Sequence, residues 1–246
     1  MIEFDSTASE HSPYVASGPP VFAVDRSVIL DKSLFNSDKP SFLRQKKGCR
    51  RVTTKHPKKY APTLYHRKGE KMKKIPAKSI SYSPTKRKKR DVLYIVIHNT
   101  GNNGDTAENN GNYYKNVNTR QAGAHFFIDQ AGVKVKSINL DRIAYSVGGA
   151  KYSDCSKTGG GKLYGKVTNA NSVSIELCDI VNKEPSEAMV KSVWKIIKYI
   201  RKYCPNAQTV VRHFDVNGKH CPQTMMNQDA WNKFQGRLIQ AALKYK

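Results

Sequence analysis

From Asp91 to Lys246 the chain alternates short β-branched runs with polar turns, and this texture confines it to a domain built around a sheet. Leu93 to Ile97 is one such run, bounded by Asn99, Thr100 and Gly101, and it reads as a buried strand ending at His98. Ala124 to Ile128 and Val133 to Ser137 flank Asp129, Gln130, Ala131 and Gly132, a hairpin signal. Ser172 to Cys178 alternates, with Val173, Ile175 and Leu177 on one face and Ser174, Glu176 and Cys178 on the other. Thr209 to Arg212 is a further short strand, ending at His213. Met189, Val193, Ile196, Ile197 and Ile200 recur at helical spacing between Ser186 and Pro205, and Trp231, Phe234, Leu238 and Leu243 mark a second helix near the C-terminus. Strands interspersed with helices predict an α/β domain over 91–246, with a mixed central β-sheet flanked by helices.

Charge separates this region from what precedes it. The whole chain carries a formal +24. Residues 1–40 hold three Lys/Arg against six Asp/Glu, whereas 41–90 hold nineteen Lys/Arg against Glu70 alone, a local net of +18. Residues 1–90 mix proline, serine and lysine without apolar periodicity, so a low-order, disordered N-terminal extension is expected, basic from residue 41. Met72 is the expected start of the functional unit, with Lys73 to Arg90 as a short basic lead. Such a run attracts any polyanion, whether nucleic acid, anionic lipid or an anionic wall polymer, and charge does not choose among them. It lacks regularly interleaved aromatics and zinc-finger spacing, so nucleic-acid binding would be non-specific.

The five cysteines, Cys49, Cys155, Cys178, Cys204 and Cys221, are odd in number and irregularly spaced, which argues against a disulfide framework and for synthesis in a reducing cytoplasm. Glu3 and Asp5 stand where a secretory signal places positive charge, no apolar core of a signal follows, and no run approaches the roughly 20 apolar residues of a spanning helix. A monomer made without a signal peptide is expected. Any substrate outside the membrane would be reached after lysis, through a pore or by a non-classical route.

His98 and His213 each follow an apolar strand and open a polar loop, and Cys221 lies eight residues beyond His213, followed by Pro222. Two imidazoles and a thiolate leave a tetrahedral zinc one open position, which is the catalytic rather than the structural pattern. Scattered spacing alone does not single these residues out.

The wording around them does. Tyr94-Ile-Val-Ile-His98-Asn-Thr100, Gly123-Ala-His-Phe-Phe-Ile-Asp129, Ser174-Ile-Glu-Leu177 and His213-Phe-Asp-Val-Asn-Gly-Lys-His-Cys-Pro222 occur in this order. Over about residues 91 to 240 the chain resembles the zinc-dependent N-acetylmuramoyl-L-alanine amidases, the family of phage lysozyme-type amidases, autolysins and peptidoglycan recognition proteins. The resemblance implies that fold, a Zn2+ held by His98, His213 and Cys221, and hydrolysis of the amide joining N-acetylmuramic acid to L-alanine in peptidoglycan. It implies Lys219 as the group that stabilises the oxyanion and Glu176 as general base. Phage lysozyme-type members carry a catalytic tyrosine immediately before the hairpin histidine, whereas this chain has Ala124, which shifts the burden to Glu176. His125 is then either a substrate or supporting contact or a structural histidine, His220 is expected to point away from the metal, and Cys178 to be a packed thiol. Val147 to Gly165, rich in Gly, Lys and Tyr, is either a wall of the substrate groove or a mobile surface loop.

Two other readings compete: a non-catalytic peptidoglycan-binding module, against which Cys221 counts, and a basic nucleic-acid-binding protein. Within the amidase reading the enzyme is an endolysin or autolysin acting on the wall after release or lysis, and residues 41–90 serve anionic wall polymers.

Overall fold

The computed structural model describes residues 71–245. Six strands form a mixed sheet in the order β1 (Lys73–Lys74), β5 (Lys134–Lys136), β4 (Phe126–Ile128), β7 (Ser172–Leu177), β3 (Tyr94–Asn99), β8 (Thr209–Arg212). Only the β4–β5 hairpin is antiparallel within it. A separate antiparallel pair joins β2 (Tyr82–Lys86) to β6 (Arg142–Ala144). The helices are α1 (Ala107–Asn116), α2 (Cys155–Thr158), α3 (Glu187–Tyr203), α4 (His213–Asn217) and α5 (Gln228–Lys244). The mixed sheet flanked by helices matches the predicted fold class.

Strand alternation assigns the two faces. Ile95, Ile97, Phe126, Ile128, Val173, Ile175 and Leu177 point to one side, where α3 and α5 cover them with Met189, Val193, Ile197, Trp231, Phe234 and Leu238. Each large aliphatic side chain so enclosed contributes about 1.5–3 kcal/mol. The opposite face carries Val96, His98, Ser174, Glu176 and Phe127. Its cover is divided. Phe127 and Val135 pack with Ala107 of α1, while Val96 and Val211 pack with Val147, Val167 and Val216. His98 and Glu176 therefore lie between two separate lids on one face of the sheet.

The expected boundary at residue 91 is corrected by residues 71–90. β1 pairs in parallel with β5, Ile75 packs beside Val135 and Ala107, and β2 pairs with β6. Arg87 donates to the carbonyls of Leu140 (3.1 Å), Asn169 (2.9 Å), Ala170 (3.0 Å) and Ser172 (2.7 Å). The lysines of this stretch hide its pairing, because an edge strand buries little and can carry charge on both faces. The expectation for residues 1–70 lies outside the described residues. Smaller differences concern α1, which polar Asn109, Asn110 and Asn112 disguise, and His213, which opens α4 instead of closing β8.

Candidate metal centre

Two parallel neighbours set the first half of the site. His98 on β3 and Glu176 on β7 are register partners, so their side chains emerge side by side, with His98 Nδ1 3.9 Å from Glu176 Oε1. The second half is a short reversal. β8 ends at Arg212, α4 begins at His213, and Gly218 in the left-handed region (φ 89°) turns the chain back. Phe214 N–H donates to the Cys221 carbonyl at 2.8 Å, which closes the reversal and returns Cys221 to His213.

Among the described residues, one group of three or more His, Cys, Asp or Glu side chains could hold a metal: His98, His213 and Cys221, with ligand atoms all within 4.8 Å of one another. They are 2%, 3% and 4% exposed, too little for water to satisfy their polar atoms. His98 Nε2 and both ring nitrogens of His213 have no hydrogen-bond partner. Buried imidazole nitrogens left unpartnered cost free energy that a cation would recover, and this donor set is that of a catalytic zinc. The residues fit the ion.

Electrostatics agree with ligand duty. Burial holds both imidazoles neutral, with the Lys219 cation adding to the effect: His98 falls well below the usual range and His213 to about 3. A neutral imidazole has the free lone pair a metal needs. Burial and then Glu176 push the Cys221 thiol up to about 12, while the Asn99 N–H, 3.3 Å from its sulfur, opposes this. Burial raises the Glu176 carboxyl to about 7, countered by Lys219 and reinforced by Asp105. Its Oε2 is buried without a partner.

The remaining expected residues fall as follows. Lys219 is exposed, yet its charge acts on Glu176 and on all three candidate ligands. His220 points elsewhere, with its Nε2 3.0 Å from Asp154 Oδ2. His125 is fully buried: Ser174 N–H and Oγ each lie 3.1 Å from its Nδ1, and the Arg142 carbonyl and Arg87 Nη2 lie 3.1 Å and 3.0 Å from its Nε2. That makes it a bridge between strands, out of reach of a substrate. Ala124 is buried in the cluster around Phe127, and Cys178 is a fully buried thiol. Among the described residues the four cysteines are all free.

Two supporting residues escaped sequence reasoning. Arg212, buried immediately before His213, holds Asp215 (Nη2 to Oδ1, 2.6 Å) and the carbonyls of Met225 (2.9 Å) and Met226 (2.8 Å), and so fastens both ends of the ligand reversal. Asn99 steadies Cys221 through its N–H and accepts from Gln223 N–H at 3.2 Å. An arginine closing the β-branched run Thr209-Val-Val, directly before His213, was the available signal.

Comparison with known proteins bears on the family and the fold. The family profile described as N-acetylmuramoyl-L-alanine amidase matches residues 88–224. The chain is 28% identical over 143 residues to the N-acetylmuramoyl-L-alanine amidase CwlH of Bacillus subtilis, covering 57% of this chain and 50% of that one. It is 29% identical over 156 residues to CwlA of the same organism, covering 61% and 50%. The chain thus spans half the length of these curated relatives. Among solved structures, PlyL superposes with a TM-score of 0.53 at 21% identity, covering 69% of this chain and 97% of that one. The catalytic domain of XlyA gives 0.51 at 21%, covering 69% and 99%. These structural likenesses bear on the fold alone.

Proposed function

The chain belongs to the N-acetylmuramoyl-L-alanine amidase family, and from that premise we propose that it hydrolyses the amide between N-acetylmuramic acid and L-alanine in peptidoglycan, with zinc as its cofactor. The observation that carries the reading is the buried trio His98, His213 and Cys221, unpartnered at its imidazoles and flanked by Glu176 at 3.9 Å. Residues 91–246 together with the packed stretch from Lys71 would be the catalytic domain.

Zinc held by these three residues would supply Lewis acidity, polarising the lactyl carbonyl and making water acidic enough to attack it near neutral pH. Glu176 does the proton work. As a carboxylate it accepts a proton from the attacking water, and as an acid it returns that proton to the alanine nitrogen when the C–N bond breaks, a role typically worth about a hundred- to ten-thousandfold. The products are a lactyl carboxylate and a free amine. Lys219 sets its ammonium near the carboxylate and the ligands, where it stabilises negative charge developing on the carbonyl oxygen. The buried methyl of Ala124 offers no hydroxyl, which leaves proton transfer to Glu176.

In this reading the protein is an endolysin or autolysin that meets the wall after release or lysis, and basic residues upstream assist on anionic wall polymers. No helix among the described residues is long and apolar enough to cross a membrane. The test pairs elemental analysis with release of free amine from a soluble muramyl peptide. Zinc-loaded protein is expected to generate the amine, and Glu176→Gln to keep stoichiometric zinc while losing at least about a hundredfold in kcat. Binding of the peptide without amine release would favour a non-catalytic wall-binding module instead.

A further inference from the structure

The lysines of α3 fall in one line. Lys191, Lys195, Lys198 and Lys202 recur at spacings of four, three and four, which stacks them on a single side of the helix. Met189, Val193, Ile196, Ile197 and Ile200 take the opposite side and are buried against the sheet. Lys195, Lys198 and Lys202 are exposed, and Lys191 is half-buried. Between Ala188 and Tyr203 the helix holds five Lys/Arg and no Asp or Glu, and Glu187 at its start is paired with Arg237 at 2.6 Å. Among the described residues none of the four aligned lysines forms an ion pair, although Lys73, Lys86, Lys183 and Lys233 do.

Tyrosines at both ends extend the line. At the C-terminus of α3 two cations approach the Tyr203 ring, Lys202 of the helix (5.6 Å to the centroid) and Lys89 of the turn Lys89–Asp91 (5.4 Å). Asn206 donates to the Arg90 carbonyl at 2.8 Å and so holds that turn, with exposed Lys88 and Arg90, beside the helix end. At the other end the Tyr245 ring has Lys191 at 4.2 Å and Lys244 at 5.5 Å. Tyr199 takes Lys136 in the same way (5.6 Å), with its hydroxyl 3.2 Å from the ammonium. Such contacts hold the ammonium groups in place and occupy rings on which a base would otherwise stack. From Lys191 to Lys202 the line runs about 17 Å, at the helical rise of about 1.5 Å per residue. It lies on the outer side of α3, so helix and sheet separate it from His98 and Glu176 on the sheet's other face.

We propose that this outer face of α3 is a docking surface for a linear, flexible polyanion of phosphodiester-linked polyol units, the chemistry of an anionic wall polymer. Ammonium groups in single file suit a strand with one charge per unit, and charge complementarity supplies the attraction. Rings already occupied by lysines offer no stacking platform, which favours a polyol phosphate over a nucleic acid. The choice of a wall polymer rests on the amidase reading. A polymer held on the outer side of α3 leaves the metal centre open, so the enzyme stays on the wall through successive cuts.

The test titrates the full chain with a soluble poly(glycerol phosphate) and with a single-stranded oligonucleotide of equal charge number, at several salt concentrations. The variant Lys195→Gln/Lys198→Gln/Lys202→Gln changes exposed side chains to another good helix former. Its Tm and its amine release from a soluble muramyl peptide are therefore expected to be unchanged. Its Kd for the polyol phosphate should rise about tenfold or more at low salt. The slope of log K against log salt should flatten by about 2, since each phosphate neutralised on a single strand contributes about 0.7. Lys157→Gln/Lys162→Gln/Lys166→Gln has the same net charge, but its exposed lysines lie on the segment that packs over the His98 face, so it should keep the wild-type Kd and slope. Equal weakening in the two variants, or weakening in neither, overturns the surface, as does wild-type protein that does not bind the polyol phosphate. An oligonucleotide bound more tightly than the polyol phosphate, with the same lysine dependence, overturns the choice of partner and makes it a nucleic acid. Wild-type protein that binds the polyol phosphate with this dependence yet releases no amine overturns the reaction and leaves the surface standing.

Discussion

A neutral imidazole buried against a guanidinium makes stability depend on pH, and His125 is such a group. Burial, and then Arg87 with its Nη2 3.0 Å from the ring, pull His125 down to about 3 from the ordinary 6.5. Hydrogen bonding to the Arg142 carbonyl opposes the shift, and Lys136 adds to it. As pH falls below 6.5 the unfolded chain takes up a proton that the folded chain refuses, so stability present above 6.5 drains away toward pH 3. The slope for one such group is about 1.4 kcal/mol per pH unit. Thermal melts between pH 7.5 and 4 should therefore show a shallower decline for His125→Asn than for wild type, and parallel curves would remove His125 from the account. At the metal centre, His213→Ala is expected to abolish stoichiometric zinc by elemental analysis, since two ligands remain where three are needed for tight binding. Full retention of zinc in that variant would mean that another side chain completes the set.

At the scale of elements, what could be read from sequence was what β-branching and alternation announce. β3, β7, β8 and the β4–β5 hairpin follow runs such as Tyr94-Ile-Val-Ile and Thr209-Val-Val, buried on both faces through most of β3 and β7 and half-buried in β8. α3 was legible from its apolar stripe and from Ser186, which accepts from Met189 N–H at 3.0 Å. β1, β2 and α1 were not. Their burial is confined to Ala107 and Gly111 of α1, with the partly buried Ile75 just beyond β1, and tertiary pairing decides their conformation instead of propensity. The candidate ligands are legible only through the resemblance of their segments to the amidase family, because no spacing rule foretells that a five-residue helix and a left-handed glycine return Cys221 to His213. The hairpin turn supplies a sharp test of how tightly these elements meet. Gly132 sits at φ 79°, and a Cβ there would lie 2.7 Å from the Ala188 carbonyl oxygen of α3. Gly132→Ala thus meets both a disfavoured backbone conformation and a backbone atom that cannot swing aside. A loss of about 2 kcal/mol or more is expected, several degrees in Tm for a domain of this size. An unchanged melting curve would show that α3 yields at no cost.

At the scale of the molecule, the question is where the folding unit begins. Sequence texture places the start of order at Asp91 and treats Lys73 to Arg90 as a basic lead whose removal weakens only attachment to anionic walls. The packing of residues 71–90 changes that expectation. Removing them deletes β1 and β2, takes the N–H groups of Ile75 and Ala77 from the Lys136 and Ser137 carbonyls, and leaves the four carbonyls served by Arg87 without a donor. A buried polar group deprived of its partner costs about 1–3 kcal/mol; these groups are part-buried or exposed and each loses less, but with Ile75 also withdrawn from Val135 and Ala107 the losses take a sizeable share of the 5–15 kcal/mol that typically holds a domain folded. A chain beginning at Asp91 is therefore expected to melt far lower than the full chain, or not to fold at all, and to lose turnover on soluble muramyl peptides with it. Residues 1–70 show no apolar periodicity that would offset the ordering cost of roughly 1–2 kcal/mol per residue, so a chain beginning at Met72 is expected to keep the full Tm and the full soluble rate. The two truncations, melted side by side and assayed on one soluble substrate, bracket the boundary. Equal behaviour of the two would mean that the Arg87 network contributes nothing net, and a fall already present in the Met72 chain would move the boundary upstream.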